Sequence, residues 1–269
     1  PLDVRAVNAA VSACEKAAVW EQALVLITRA ASVGFHCNAA TFGAAISALQ
    51  KGSKWELALQ SLDMMGSSRV AQDAIAFSAC MSACSAGSQW ARALLLFERL
   101  RGLRGARADR IAFNAAIQAC AQGSLWERAL WLFRSMPAPT IVSFNAVLDA
   151  ARQRPALACE LWEQGLAKGV YQDVEHWQGS SGVLDLHRLS EGASVAAVLW
   201  WLQTRAPARA SRGARLSIVT GWGRSRLPHQ RGDVRAHVLA TLREAGMQAL
   251  PTDNAGSIDV DVSALAGVN

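Results

Sequence analysis

The sequence predicts an α-solenoid of helix–turn–helix repeats followed by a small α/β sandwich domain. The first observation is a tryptophan that recurs at Trp20, Trp55, Trp90 and Trp126, in steps of 35, 35 and 36 residues. The second is that the residues around each tryptophan also repeat. The third is a change of pattern near Asp173, after which short apolar runs alternate with helical segments. Self-similarity at such a period is the signature of a repeat array.

Each repeat is predicted to be a pair of helices. Four copies read AVNAAVSACEKAAVWEQAL, TFGAAISALQKGSKWELAL, AFSACMSACSAGSQWARAL and AFNAAIQACAQGSLWERAL, and a fifth without the tryptophan reads SFNAVLDAARQRPALACEL. The first helix, about Ala6 to Lys16 in copy one, has apolar residues at helical spacing. A break such as Gly52-Ser53 follows, in which Gly ends one helix and Ser can cap the next. Because neither helix buries its apolar face alone, neighbouring pairs are expected to stack, with the tryptophan as an inter-repeat packing residue.

The predicted domain boundary follows the end of the repeat pattern. We place the repeats at residues 1–173, as copies at about 4–38, 39–73, 74–109, 110–140 and 141–173, and a second domain at 174–269. The first three residues, Pro1-Leu2-Asp3, look like the end of another repeat, so we expect the array to continue upstream. A targeting peptide would then lie outside this sequence.

Composition and charge favour a globular protein with a polyanionic partner. Hydrophobic residues make up 52% of the chain, and no apolar run approaches the roughly 20 residues of a membrane-spanning helix, so we predict no membrane association. The net charge is +6 and the pI is about 9.3. Seven arginines and no acidic residue lie between Arg205 and Arg231, whereas an ordinary solvated surface mixes both signs. Because arginine pairs bidentately with phosphate, this segment is predicted to contact nucleic acid.

The cysteines are predicted to be packing residues. Cys14, Cys84 and Cys120 occupy one equivalent place in three copies, and Leu49 takes that place in another. A position that alternates Cys with Leu is a small apolar site. No Cys or His pair has the spacing of a zinc site, so we predict no cofactor, with an aspartate-bound Mg²⁺ as the alternative.

The C-terminal region is predicted to alternate strands with helices. Residues 183–187, 215–219 and 257–262 have the pattern of strands, and about 193–203 and 234–245 have that of helices. This order predicts a mostly parallel sheet.

Two motifs end neighbouring predicted strands, LDLH at 184–187 and TGWG at 220–223. The carboxyl ends of such strands converge on one crevice, where a Gly-x-Gly turn can expose N–H groups to an anionic oxygen. Asp185 and His187 alternate along the strand and are expected to point to the same side. A carboxylate and an imidazole can act as general base and acid in phosphodiester cleavage. The alternative is that both side chains only brace the loop through hydrogen bonds.

The copies resemble pentatricopeptide repeats, whose consensus opens with a Thr-Tyr-Asn-like triplet and closes with Asp or Asn. The opening is matched by Val7-Asn8, Phe42-Gly43, Phe77-Ser78, Phe113-Asn114 and Phe144-Asn145. Tetratricopeptide repeats have a similar period but carry their tryptophan early in the first helix, whereas here it opens the second. The resemblance covers about residues 1–173 and implies a right-handed solenoid that binds single-stranded RNA.

In that family one repeat meets one base, through an early-helix polar residue and the closing residue. Carried over by position, the pairs are Asn8 with Asn38, Gly43 with Asp73, Ser78 with Asp109, Asn114 with Thr140, and Asn145 with Asp173. The family's code implies a pyrimidine for Asn with Asn or Asp and guanine for Ser with Asp, so the preference is roughly Y-N-G-Y-U. Gly43 has no side chain, so copy two is expected to be a weak reader. The alternative for each residue is that it only caps a helix.

The order LDLH, helix, strand, TGWG, helix resembles the Smr (small MutS-related) domain, and the whole resembles the PPR-SMR class. This resemblance implies RNA processing, with Asp185 and His187 as catalytic residues. Contacts to nucleic acid are then expected from Thr220, Gly221, Gly223, Arg224 and Arg226. The alternatives are a non-catalytic RNA-binding protein and a protein-interaction solenoid. The resemblance to pentatricopeptide repeat proteins implies a plastid or mitochondrial location. It also implies single-stranded RNA as the partner and no small-molecule substrate. The oligomeric state is not predicted.

Overall fold

A computed structural model of the chain describes residues 4–33, 37–103, 108–178, 181–205, 215–221, 233–250 and 256–261. It divides into two compact units, Pro1–Ala138 and Pro139–Asn269. The first unit holds four of the five copies, and the second holds the fifth copy together with a small sheet. The division at residue 173, which follows the repeat pattern, stays a prediction about sequence domains.

The first unit consists of paired helices in the predicted order. Its helices are α1 (Val4–Lys16), α2 (Trp20–Ser32), α3 (Ala39–Lys51), α4 (Trp55–Ser67), α5 (Ala74–Ala86), α6 (Trp90–Gly102), α7 (Arg110–Gln122) and α8 (Trp126–Ser135). Every second helix begins at the recurring tryptophan, as the sequence predicts. The first helices pack successively on one another, α1 on α3, α3 on α5 and α5 on α7, and each second helix packs on its own partner. The solenoid is confirmed.

The core of this unit contains the recurring small apolar position. Cys14, Leu49, Cys84 and Cys120 are all buried there, and the cysteines are free thiols. Burial raises the pKa of Cys84 and of Cys120 to about 11, so both stay protonated and unreactive near neutral pH. The structure thus assigns this position to packing.

The glycines that follow α3, α5 and α7 lie against the tryptophan of the preceding repeat. A Cβ atom on Gly52 would lie 2.5 Å from Trp20 Cδ1, and one on Gly123 would lie 2.9 Å from Trp90 Cδ2. The φ angle of Gly52 is −81°, which any residue adopts. Glycine is therefore needed here for the close approach of the indole ring, and the tryptophan packs between repeats as predicted.

The serine of the Gly-Ser break does not cap the second helix, so that expectation is wrong. Ser53, Ser88 and Ser124 have φ angles of 54°, 58° and 56°, in the left-handed region. The residue after each serine is the N-cap, and its side chain makes no capping hydrogen bond. The serine instead reverses the chain between the paired helices, and the tertiary packing of the tryptophan fixes the second helix.

We predict that Trp55→Ala lowers the free energy of unfolding by roughly 2 kcal/mol, because its half-buried ring fills the space beside a glycine and pairs with a cation. Arg92 lies 4.4 Å from the centre of the Trp55 ring. The control is Trp131→Ala, since Trp131 is 51% exposed yet has its own cation, Arg101, at 5.3 Å. Urea titration of both variants compares them. Equal losses would contradict the glycine-packing role.

The second unit begins with the fifth helix pair and continues into the sheet. Its elements are α9 (Ile141–Ala150), α10 (Pro155–Ala167), β1 (Glu175–Gln178), β2 (Ser181–Asp185), α11 (Glu191–Trp200), a π-helical turn (Trp201–Arg205), β3 (Arg215–Val219), α12 (Val234–Glu244), β4 (Ala249–Leu250) and β5 (Ser257–Asp261). Helix α11 packs on α9, α10 and α12.

The sheet has the strand order β1-β2-β3-β5-β4, and its described pairings correct the expected mostly parallel sheet. Only β2 and β3 run parallel, joined through α11, while the other three pairings are antiparallel. The expectation was wrong because β1 and β4 were not recognised. These strands have four and two residues, which is too short to show an apolar alternation. Strand β1 pairs antiparallel with β2, and β4 pairs antiparallel with β5. A small sheet with helices is therefore shown, and its layering as a sandwich stays a prediction.

Helices α9 and α11 approach each other closely at one point. The Gly192 N–H donates to Asp149 Oδ1 at 2.7 Å, so a carboxylate of the fifth repeat satisfies the first turn of α11. A Cβ atom on Gly192 would lie 2.6 Å from both Cα and N of Asp149. Ser190 caps the same helix and donates to the Asn145 carbonyl oxygen at 3.3 Å. The fifth repeat is thus joined to α11 by contacts that leave no spare volume.

Burial raises the pKa of Asp149 from 3.8 to about 6, partly offset by hydrogen bonds from Ser190 and Gly192. The pKa of Asp149 is higher in the folded state than in the unfolded state. The protonated Asp149 carboxyl group therefore contributes fully to stability below about pH 4, and this contribution is lost as the pH rises through 6. We predict that the stability difference between the parent and Asp149→Asn changes by up to about 3 kcal/mol over this window. Urea titration across pH measures it, and a difference independent of pH would contradict the assignment.

Candidate nucleic-acid interface

The predicted early-helix reading residues occupy one structural position. Each is the fifth residue of the first helix of its repeat: Asn8 in α1, Gly43 in α3, Ser78 in α5, Asn114 in α7 and Asn145 in α9. This recurrence places them on the same face of successive helices. A Cβ atom on Gly43 would meet nothing within 4 Å, so copy two has open space where the other copies have a polar side chain.

The predicted closing residues are mostly helix N-caps. Asn38 Oδ1 accepts the Thr41 N–H at 3.0 Å, Asp73 accepts the Ala76 N–H at 2.9 Å, and Asp109 accepts the Ala112 N–H at 2.8 Å. Thr140 forms a capping box with Ser143. Asp173 is exposed and follows α10 without opening a helix. Capping is therefore a structural role of four closing residues, and each capping carboxylate keeps a second oxygen for another partner.

The reading residues differ in what they contact. The Thr41 hydroxyl contacts Oδ1 of Asn8 and lies 3.0 Å from Oδ1 of Asn38, so the pair of copy one meets at one side chain. Ser78 Oγ and Asn114 Oδ1 are buried atoms with no hydrogen-bond partner in the part of the chain that the structure describes. Asn145 Oδ1 accepts the Tyr171 O–H at 3.1 Å. Asn114 belongs to the first compact unit and its predicted partner Thr140 to the second.

Sequence reasoning missed a set of exposed apolar residues beside these positions. Ile75, Ile111 and Val142 are the second residues of their helices and are 63%, 60% and 57% exposed. Each lies three residues before the polar reading residue and so occupies the same helix face. The signal was available, because an apolar residue recurs where the helix pattern calls for a solvated one. We call the second and fifth residues of a first helix, with the N-cap before that helix, the reading face of its repeat.

The two C-terminal motifs start from the same edge of the sheet. Asp185, the last residue of β2, is in register with Val219, the last residue of β3. A Cβ atom on Gly221 would lie 3.4 Å from His187 Cβ, so TGWG reaches the histidine of LDLH. The strand ends therefore converge as predicted.

Asp185 and His187 form a hydrogen-bonded pair, for a reason other than strand alternation. The strand ends at Asp185, and the chain turns so that the His187 N–H donates to Asp185 Oδ1 at 3.0 Å. In the same turn His187 Nδ1 lies 2.5 Å from Asp185 Oδ1. Arg188 Nε lies 3.1 Å from His187 Nε2 and can only donate, so Nε2 is the acceptor and Nδ1 carries the proton. The exposed ring thus presents a basic nitrogen away from the carboxylate.

The expected anion-binding N–H groups of TGWG are partly engaged. The N–H groups of Thr220 and Gly221 both donate to the Gly256 carbonyl oxygen, at 2.9 and 3.2 Å. Thr220 is buried, and its hydroxyl lies 3.3 Å from the same oxygen. For Gly221 this corrects the expectation that the turn exposes its N–H groups, because the residue that precedes β5 accepts from both Thr220 and Gly221. Gly223, Arg224 and Arg226 lie outside the described residues.

Most of the arginine segment also lies outside the described residues. Arg205, which the structure describes, forms an ion pair with Glu175 at 3.6 Å and lies 5.5 Å from the centre of the Trp200 ring. Within the described ranges, no group of three or more His, Cys, Asp or Glu is placed to hold a metal ion. Among the same residues, no helix is both long and apolar enough to cross a membrane.

The paired helices, stacked by their first members, define the class of helical-repeat solenoid proteins. Within it, the family model of the PPR repeat matches residues 111–138, which span α7 and α8. The copy that carries Ile111 and Asn114 is therefore similar to a pentatricopeptide repeat. No curated protein matches the chain by sequence.

Two solved structures agree on the fold. The pentatricopeptide repeat protein PPR10 in complex with an 18-nt psaJ RNA element matches with a TM-score of 0.52 and 17% identity, over 92% of this chain and 39% of that one. A cysteine-to-serine variant of PPR10 in the same complex gives the same values. PPR10 from maize matches with a TM-score of 0.45 and 15% identity, over 91% and 36% of the two chains. The chain thus spans about two fifths of the length of the proteins it resembles.

Proposed function

We propose that the chain binds single-stranded RNA through the reading face, one base to each repeat. The observation that carries the proposal is the recurrence of an exposed apolar residue three places before a polar one, as in Ile75 with Ser78 and Ile111 with Asn114. An apolar side chain can pack on the face of a base, and a polar side chain one helical turn away can meet its edge. Two of these polar side chains, Ser78 and Asn114, have buried atoms without a partner in the described structure.

The fold comparisons support the proposal. The matched PPR10 structures contain RNA, and the pentatricopeptide match falls on one of these repeats. Five repeats meet only about five nucleotides, too few to specify one transcript, so a longer protein would read more. A plastid or mitochondrial location is part of the same proposal and follows from the family resemblance.

We predict that Ile111→Asp weakens binding of short single-stranded RNA by roughly tenfold, because base stacking is lost and a carboxylate faces the phosphates. Leu95→Asp is the matched control, since Leu95 is 70% exposed on the second helix α6, away from the reading face. Fluorescence anisotropy with labelled RNA at low salt measures both variants. The control is expected to bind as the parent does.

Two outcomes would overturn this function. Equal weakening by Ile111→Asp and Leu95→Asp would show a diffuse electrostatic effect and no reading face. A parent chain without affinity for RNA at low salt would favour the protein-interaction solenoid instead.

A second candidate function is cleavage of the bound RNA by an Smr-like α/β sandwich domain. It is favoured by the Asp185–His187 pair at the strand ends, whose Nε2 is oriented as a base. His187 Nε2 would take the proton of an attacking 2′-hydroxyl or water, while Asp185 holds the ring through Nδ1. As the new P–O bond forms, the P–O bond to the leaving oxygen breaks, and that oxygen takes its proton from solvent. In the free chain Arg188 donates a hydrogen bond to His187 Nε2. Because a guanidinium group also binds phosphate, a bound RNA phosphate would replace His187 as the partner of Arg188 and leave Nε2 free. The competing role is bracing of the turn, for which the backbone hydrogen bond between the same residues is sufficient.

A further inference from the structure

The environment of Thr41 differs from that of every equivalent residue described in the first unit. Thr41 is the third residue of α3 and is 1% exposed. The same position holds Ala76 in α5 and Ala112 in α7, which have no hydroxyl. Asn8, the reading residue that Thr41 faces, has a partner, whereas Ser78, whose following helix carries Ala112, has none in the described structure. In copy one, the hydroxyl at this position therefore holds the reading residue.

The contacts determine which way both amides of copy one point. Asn38 Oδ1 already accepts the Thr41 N–H, and the Thr41 hydroxyl oxygen accepts the Asn38 N–H at 3.3 Å. The single hydroxyl proton is therefore best donated to Asn8 Oδ1, for which no second donor is seen among the described residues. Both carbonyl oxygens are consequently turned towards Thr41. The NH₂ groups of Asn8 and Asn38 are thereby left as donors for another partner.

We propose that Thr41 is a positioning residue for base recognition by the first repeat, an inference that rests on the proposed RNA binding. It holds the amides of Asn8 and Asn38 in the orientation that presents two donors to the edge of the base. Two donors match neighbouring acceptors, such as O2 and N3 of cytosine, and oppose the N1–H and N2–H donors of guanine. Without the hydroxyl, the Asn8 amide is free to rotate by half a turn and offer its oxygen to guanine.

The test compares base selection by the full chain and its variants from a pool of random short RNAs. Asn8→Ala identifies the nucleotide that the first repeat reads, as the position whose preference it abolishes. Thr41→Ala is expected to lower the discrimination between cytosine and guanine at that nucleotide by roughly fivefold, the factor that one neutral hydrogen bond contributes. Preferences at the other nucleotides are expected to stay unchanged. Thr41→Ser is expected to restore the parent pattern.

Two features make the comparison decisive. Thr41→Ala should fold, because Ala76 and Ala112 occupy the same position in neighbouring repeats. Thr28→Ala is the matched control, since the exposed Thr28 hydroxyl donates to carbonyl oxygens of its own helix. This variant is expected to change no preference. Unchanged discrimination in Thr41→Ala, or a uniform loss of affinity without altered preference, would overturn the inference. A parent chain that enriches no sequence would overturn the RNA-binding function itself, which separates the two failures.

Discussion

Gly192→Ala is expected to destabilise the second unit by about 3 kcal/mol, because overpacking against backbone atoms has no inexpensive relief. The added Cβ would lie 2.6 Å from Cα and N of Asp149, in a neighbouring helix, and neither atom can move without shifting α9. Relief by separating α9 from α11 would also lengthen the hydrogen bond from the Gly192 N–H to the Asp149 carboxylate. Urea or thermal unfolding followed by circular dichroism measures the loss.

Gly43→Ala is the matched control for this substitution. Both glycines lie in helices, but a Cβ on Gly43 meets nothing within 4 Å. The control is therefore expected to gain up to about 1 kcal/mol from helix propensity alone. If Gly192→Ala were also neutral or stabilising, the close contact between the fifth repeat and α11 would be wrong.

His187→Gln is expected to slow cleavage of short single-stranded RNA by about two to four orders of magnitude, the range for loss of a general base or acid. Glutamine fills similar space but cannot take up a proton, so binding of RNA by the repeats should be retained. Gel analysis of end-labelled RNA gives the rate, and anisotropy on the same samples gives the affinity. A product with a 2′,3′-cyclic phosphate would assign the attack to the 2′-hydroxyl.

The matched control for the cleavage experiment is His237→Gln. His237 Nε2 lies 3.6 Å from a carboxylate oxygen of Glu191, so both histidines are paired with acids, but His237 is on α12 and not at the strand ends. The control is expected to cleave at the parent rate. Equal rates for all three proteins would reduce Asp185 and His187 to bracing of the turn and leave RNA binding as the sole function.

The predicted site was partly accessible from the sequence. The fifth-residue position of Asn114 and the convergence of LDLH with TGWG follow from repeat alignment and strand order, which are local properties. The partners of those residues were not accessible. Nothing in the sequence shows that the Tyr171 hydroxyl donates to the Asn145 amide oxygen. Nor does it show that the Gly256 carbonyl oxygen accepts from the N–H groups of Thr220 and Gly221. Such contacts join residues that are distant along the chain.

The sequence by itself determined the repeat array: its period, the start of each second helix at a tryptophan and the buried place that Cys84 shares with Leu49. These features depend on helical periodicity and self-similarity, which are written within some 35 residues. Only the tertiary structure decided the directions of the strands, the close approach at Gly192 and the orientation of the Asn8 amide by Thr41. Each of these depends on a residue from another helix or strand. A few tenths of an ångström decide whether a side chain fits at Gly192, and one hydroxyl proton decides how the Asn8 amide is oriented.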